Sequence, residues 1–364
     1  MKSAKVYKPL LFVVLTLAVL GYVIFWSASF GLLAKSESQF GSVAFGQTVG
    51  LAIGLVFLWF FSKIKYQLWK KIALIVFIGA ILFNAILFFP EMGMTHGGAT
   101  RWIDVGFLTI QPSELLKIAF IIFLASWLSG KRNRAESLTK GILVYMILVA
   151  VVGFLILSQN DTETLIIIAA TGMAMLLSAG AKWKHILLMI ILGCVVVGGV
   201  VYLKPYAMKR IEVFLNPSLD PQGAGYQVQQ LLVTVGSGKI TGRGFGESIQ
   251  KYNYLPEPIG DSIFAVAAEE FGFIGASVLV ALYLLLGLLG LRTAARAPDE
   301  FGRLLACGIA ILIVTESFGN IASMTGVLPL AGVPLLFVSH GGTALMIVLA
   351  EAGILLNISR FSFK

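Results

Sequence analysis

The sequence predicts an all-α integral membrane protein of about ten transmembrane helices, with both termini cytoplasmic and one large extracytoplasmic loop between spans seven and eight. Three observations carry that expectation. Only 12% of the 364 residues are charged, where a soluble domain carries about a quarter, and the mean hydropathy is +0.92. Apolar runs close to the roughly 20 residues that a spanning helix needs recur along the whole chain. Basic residues gather in alternate loops, which is how cytoplasmic loops are marked.

The first run, 9–33, follows Lys2, Lys5 and Lys8. It is too long for a signal-peptide core and lacks a clear small-residue cleavage site, so it reads as a retained first span. Spans two and three, 43–61 and 72–89, are joined through Lys63, Lys65, Lys70 and Lys71. Pro112 pre-sets the start of the fourth span, 113–129, because its fixed φ suits a first helical turn. Lys131, Arg132, Arg134 and Lys140 precede the fifth span, 142–157; the sixth, 164–180, leads through Lys182 and Lys184 to the seventh, 186–203. The long loop 204–261 ends at the eighth span, 262–291; Arg292, Arg296 and Arg303 lead to the ninth, 304–324, and the tenth, 340–358, runs into Arg360 and Lys364. Against these basic loops the short loops of the other side hold only Lys35 and Arg101, so both termini are assigned to the cytoplasm. Residues 1–364 then form a single polytopic membrane domain.

The acidic residues distribute the other way. Glu37, Glu91, Asp104, Glu114, Asp161, Glu163, Glu212, Asp220, Glu247, Glu257 and Asp261 fall in outer loops or at outer helix ends. The long loop adds Lys204, Lys209, Arg210, Lys239, Arg243 and Lys251. Cations mixed with carboxylates suit an anionic substrate that must also be deprotonated; they equally describe a hydrated loop with surface ion pairs. Several function classes drop out. Cys194 and Cys307 lie in apolar runs and form no metal-ligand spacing with His96, His185 or His340. The glycine-rich GSGKITGRGFGES, Gly236 to Ser248, matches neither nucleotide-binding fingerprint and falls outside the cell, so its glycines serve tight turns and close backbone approach. No nucleic-acid partner is expected.

Three outer segments hold the candidate chemistry. In GATRWIDVGFLTIQPSELLK, Glu114 and Lys117 stand at i and i+3 on one helix face, close enough to form an ion pair in the membrane, and removing either should strand a charge. In SQNDTET, Asp161 and Glu163 join spans five and six and by themselves read as a solvated turn. In YLPEPIGDSIFAVAAEE, Glu257, Asp261, Glu269 and Glu270 crowd the entrance to an apolar span, where a carboxylate must be solvated, paired or used. Asp261 aligns with Ala265, Ala268, Gly272 and Gly275, a small-residue face that admits a neighbouring helix. Glu269 lies about 12 Å deeper, and neither it nor Glu270 can face lipid without a partner. A helix N-cap is an equally good use of Asp261.

These same stretches resemble the SEDS family (shape, elongation, division and sporulation), whose members include FtsW and RodA. The resemblance rests on RWIDVGFLTIQPSELLK, GAGYQVQQLLVTVGSGKITGRGFGESIQKYNYLPEP, DSIFAVAAEE, GVLPLAGVPLLFVSHGG and GILLNISR, and covers nearly the whole chain; YLPEP and GILLNISR lean to the FtsW branch. It implies a ten-span bacterial inner-membrane polymerase that joins lipid II into glycan strands on the outer face, working with a class B penicillin-binding protein. By position it makes Asp261 the essential aspartate of the family's LPE…D.IFA motif, Glu114 and Lys117 the pair of QPSE..K, and Arg101 and Trp102 its RW. The chain departs from the family where QPDLGT becomes QNDTET, HTDF becomes IGDS, and PLPFxSYGG becomes PLLFVSHGG with His340 in the tyrosine position.

The resulting expectation is an inverting glycosyltransferase with lipid-linked disaccharide as acceptor and the nascent glycan on undecaprenyl diphosphate as donor. Asp261 is the general base for the acceptor's 4-hydroxyl. Arg101, Arg210, Lys239 and Lys251 are the cations for the leaving diphosphate, and Trp102, Glu114, Lys117 and Glu257 complete the candidate substrate contacts. A divalent cation, Mg or Mn, is the candidate cofactor for the same task, although the sequence shows no recognisable metal site. A lipid II flippase, using Glu269, Glu270, Glu316 and Glu351 as a polar path, and a non-catalytic division scaffold are the alternatives.

Overall fold

The computed structural model describes residues 6–89, 93–96, 99–104, 106, 109–130 and 134–363. Lys2, Lys5, Glu91, Lys131, Arg132 and Lys364, which enter the charge pattern, lie outside the described residues. Each of the ten expected spans coincides with a helix: α1 Lys8–Leu33, α2 Glu37–Lys63, α3 Gln67–Ala85, α4 Pro112–Leu128, α5 Leu143–Ser158, α6 Thr162–Ser178, α7 Trp183–Leu203, α10 Ile263–Ala295, α11 Glu300–Met324 and α12 Gly342–Ser362. Eight helical stretches among the described residues are long and apolar enough to cross a membrane. Helices α4 and α6, at 17 residues each, are shorter.

Local chemistry sets the helix ends. Pro112 opens α4 as expected. Ser36 accepts the amide of Gln39 to start α2, and Asp299 accepts that of Gly302 to start α11. The bundle centre is α11 and α12, whose apolar windows are 72% and 89% buried, whereas α7 is 11% buried and presents its apolar surface outward. That distribution is the one a lipid solvent permits, since α7 needs no protein cover for Leu187, Ile191 or Val195.

The long loop is not the loose outer segment its length suggests. It folds into two amphipathic helices, α8 Pro205–Leu215 and α9 Ala224–Ser237, followed by a glycine-rich return. The eighth span, expected to be continuous, is broken at Gly272, whose φ of 66° and ψ of −168° leave the helix. Breaking a helix strands backbone donors and acceptors, and the return supplies their partners. Arg243 N donates to Glu269 O at 3.0 Å and Gly244 N to Glu270 O at 2.9 Å, while Phe273 N and Ile274 N donate back to Lys239 O and Ile240 O at 2.9 and 3.1 Å. Glycine is required here for contact as well as for φ. A Cβ on Gly272 would stand 2.2 Å from Gly242 N, and one on Gly238 would stand 2.0 Å from Ala268 O. At Ala268 and Gly272 the small-residue face of α10 therefore admits this glycine-rich turn segment, where a neighbouring helix was expected.

The remaining outer structure is a three-stranded antiparallel meander, β1 Met94–His96, β2 Ala99–Asp104 and β3 Thr109–Ile110, between α3 and α4. It is the one departure from an all-helical chain among the described residues, and β2 carries the RW motif.

Candidate active site

Asp261 stands on a turn one residue before the cap of α10. That cap position is Ser262, and no side chain caps the helix there, so the N-cap role open to Asp261 in the sequence is not the one it takes. Its backbone is pinned from below. Asn320 Nδ2, on α11, donates to Asp261 O and to Val333 O, both at 2.8 Å. Ser339 Oγ donates to Gly260 O at 2.8 Å, and the His340 amide donates to Ile259 O at 2.7 Å. The SHGG segment thus holds the aspartate turn through its serine hydroxyl and a main-chain amide. The His340 ring stacks on Phe25, and burial lowers its pKa against the opposing pull of Glu257.

The Asp261 side chain is half-buried and, among the described residues, takes no side-chain hydrogen bond and no ion pair. It opens into a cavity of about 360 Å³ also lined by Lys209, Arg210, Asp220, Gln227 and Gly332. Burial, then the neighbouring Glu257 carboxylate, push its pKa up to about 6, against the opposing pull of Arg101 and Arg210. The point that a Cβ on Gly332 would occupy is 3.4 Å from Asp261 Oδ2 and 3.7 Å from Arg101 Nη1, so a glycine keeps the space between carboxylate and guanidinium open.

Two arginines reach this site from different elements. Arg101, on β2, is 6% exposed. It donates to the Gln159 and Asn160 carbonyls and pairs with Asp161 at 3.7 Å and Glu163 at 3.9 Å. Arg210, on α8, pairs with Glu163; burial, and next the repulsion of Arg101, lower its pKa to about 10, so it stays charged at neutral pH. Asp161 caps α6, accepting Thr164 N at 3.2 Å and Thr164 Oγ1 at 2.9 Å. The solvated-turn reading of SQNDTET is accordingly corrected: Asp161 is 1% exposed and the turn is packed against the arginines of the site. Its resemblance to the family's QPDLGT was the only signal of this in the sequence.

The other candidates are placed elsewhere. Trp102 is half-buried beside Arg101 on β2, across from Met94. Glu257 is exposed, with φ 48°, and its carbonyl accepts the amides of Gly260 and Ser262, shaping the turn that presents Asp261. Lys239 is exposed and lends the kink only its carbonyl. Lys251 is fully buried: its ammonium meets Glu270 at 2.8 Å, Gly246 O at 2.8 Å and Ser27 Oγ at 3.3 Å. Neither lysine lines the Asp261 cavity. The place given to them as diphosphate cations is corrected, because Lys251 already neutralises Glu270 and Lys239 is exposed outside the cavity lining.

Glu114 and Lys117 form the expected i, i+3 pair at 2.8 Å, both buried. The sequence left out their third member. Glu316, on α11, accepts from Lys117 through both oxygens at 2.6 Å, so the lysine bridges two carboxylates. This cluster ties α4 to α11 and does not line the Asp261 cavity. Among the described residues no three of His, Cys, Asp and Glu gather as they would to hold a divalent cation; Asp161 and Glu163 are turned to the arginines, and Asp220 to Lys209.

Residues 8–364 match the FtsW, RodA and SpoVE family model, described as cell cycle protein. A probable peptidoglycan glycosyltransferase FtsW of Geobacter sp. (strain M18) is 38% identical over 354 residues, 95% of this chain and 96% of its own. Stage V sporulation protein E of Bacillus subtilis (strain 168) is 35% identical over 367 residues, the full length of both. Among solved structures, a chain from work on the structural coordination of polymerization and crosslinking by a peptidoglycan synthase complex superposes with a TM-score of 0.81 at 26% identity, over 99% of each chain. The rod shape determining protein RodA of Thermus thermophilus shares the fold, with a TM-score of 0.72 at 23% identity over 99% and 98% of the two chains. Sequence, fold and length agree across these matches: this multi-pass inner-membrane protein belongs to the FtsW, RodA and SpoVE family of cell cycle proteins.

Proposed function

We propose that the chain is a peptidoglycan glycosyltransferase that polymerises lipid II on the outer face of the cytoplasmic membrane, with Asp261 as its general base. The observation that carries this reading is a carboxylate that takes no side-chain hydrogen bond or ion pair among the described residues and faces a cavity beside two arginines. A structural aspartate at a membrane boundary is paired or capping; among the described residues this one is neither. Asp261 takes the proton of the acceptor's 4-hydroxyl as that oxygen attacks the donor's anomeric carbon. The anomeric C–O bond breaks in the same displacement, its electron pair leaves with undecaprenyl diphosphate, and the configuration inverts. Arg210 and Arg101 offset the charge that develops on the diphosphate. Glycan strands need crosslinking, and the similarity to a synthase complex that couples polymerization with crosslinking supports a class B penicillin-binding protein as partner.

The test is polymerisation of labelled lipid II by purified Asp261→Asn. The substitution keeps size and polarity and removes the base, so glycan synthesis falls by about 10²–10⁴-fold while the folded protein still binds lipid II. Wild-type rates would return Asp261 to a structural role. Transfer of lipid II between leaflets without glycan product, by the wild-type protein, would favour translocation instead.

A further inference from the structure

The two arginines of the site already hold an anion that belongs to the chain. Glu163 Oε1 contacts Arg210 Nη1, and Glu163 Oε2 stands 3.9 Å from Arg101 Nη2. That second oxygen is buried and, among the described residues, accepts no hydrogen bond, with the Arg101 charge 3.9 Å away. Glu163 lies in the first turn of α6, where its charge favours the helix dipole, but neither the cap of α6 nor the orientation of Arg101 depends on it. Helix α6 is capped by Asp161 through Thr164, and Arg101 is oriented by Asp161 and by the Gln159 and Asn160 carbonyls. What Glu163 adds is charge cancellation, at the cations that a leaving diphosphate needs.

Resting on the glycosyltransferase reading, we infer that Glu163 is a built-in competitor for the diphosphate of the lipid-linked substrate: its carboxylate occupies Arg210 and Arg101 in the empty site and is displaced when the diphosphate arrives. The Glu163 side chain is 17% exposed, so it has a path to water once released. A diphosphate brings more charge and more acceptor oxygens than one carboxylate, and guanidinium pairs best with such oxygens. The exchange therefore favours the substrate, but only by the difference between the two anions. An anion that is already in place lowers affinity and lets product diphosphate leave once the glycan has been transferred.

The sign of one substitution separates this from a positioning role. Glu163→Gln keeps the side chain's size and removes its charge. Competition predicts that the KM for lipid II falls by roughly tenfold, the factor that about 1.4 kcal/mol of lost competition represents, and that kcat falls or holds because product leaves more slowly. It also predicts a larger rise in Tm on adding undecaprenyl diphosphate to the variant than to the wild type. Glu163→Asp, which withdraws the carboxylate by one methylene, should shift KM in the same direction by less. If Glu163 instead holds the arginines in place, both variants raise KM and respond less to undecaprenyl diphosphate; a raised or unchanged KM, or failure of both variants to fold, overturns the inference. Absence of glycan from the wild-type protein would strike the underlying activity alone, since the undecaprenyl diphosphate shift reads Glu163 without any turnover.

Discussion

Asp261 carries an electrostatic cost, and that cost has a sign. Burial raises its carboxyl from the usual value near 3.9 to about 6. A raised folded-state pKa favours folding only while the group is protonated. Its contribution is present below about pH 4 and is lost as pH rises through about 6. At pH 7.5 the ionised carboxylate destabilises the fold, by at most about 1–2 kcal/mol after allowance for its partial exposure. Asp261→Asn should therefore melt higher than wild type at pH 7.5, with the difference vanishing near pH 4; a helix-capping aspartate predicts the reverse. The rate gives a second readout. A base must be ionised, so kcat/KM should fall tenfold per unit below about pH 6 and level above it, which a pH series of lipid II polymerisation measures. Asp261 was legible in the sequence because its boundary position and its motif are both local. Asp161 and Glu163 were not, because their partners Arg101 and Arg210 lie on separate elements. Lys251 was misassigned for the same reason: its basicity is visible in the sequence, whereas its pairing with Glu270 across the kink is tertiary.

At the scale of elements, apolar periodicity carried the helices and missed what interrupts them. The ten runs appear as helices because lipid demands continuous apolar length, a property that composition shows directly. The break at Gly272 was hidden inside such a run, and the segment that satisfies it, 239–244, belongs to what reads as an outer loop. Helices α8 and α9 are too short and polar to count as spans, so the sequence left them as loop. The contact between α4 and α11 shows how a partly legible element changes its prediction. Lys117 alone neutralises two buried carboxylates, so Lys117→Met strands both Glu114 and Glu316 and should cost about 3–5 kcal/mol, or prevent folding. Glu114→Gln leaves the bidentate Lys117–Glu316 contact intact and should cost under about 1 kcal/mol. The sequence, which saw only the i, i+3 pair, makes the two substitutions equivalent. Thermal unfolding of both variants in detergent decides between them: equal losses would mean that Glu316 does not take over the lysine.

At the scale of the whole molecule, the site makes sense only if Asp261 and its arginines face the compartment where lipid II presents its sugars. Orientation follows from where the charges sit. The facing ends of α2 and α3 and of α10 and α11, with their connections, and the end of α12 hold Lys63, Lys65, Lys70, Lys71, Arg292, Arg296, Arg303 and Arg360, while the opposite end carries the Asp261 cavity with its mixed acids and cations. Each misplaced basic residue opposes insertion in the inverted sense, so the arrangement is fixed as the chain inserts. Chemical accessibility tests it with two positions at opposite ends of the bundle. Tyr254 is 54% exposed beside the site, and Lys65 is exposed between α2 and α3. In a Cys194→Ser, Cys307→Ser background, Tyr254→Cys should react with a membrane-impermeant thiol reagent on intact cells stripped of outer barriers, and Lys65→Cys only after the membrane is opened. The reverse labelling pattern would put the base and both arginines in the cytoplasm, where no glycan strand is built, and the proposed chemistry would have to be abandoned whatever the activity of the Asp261 variant.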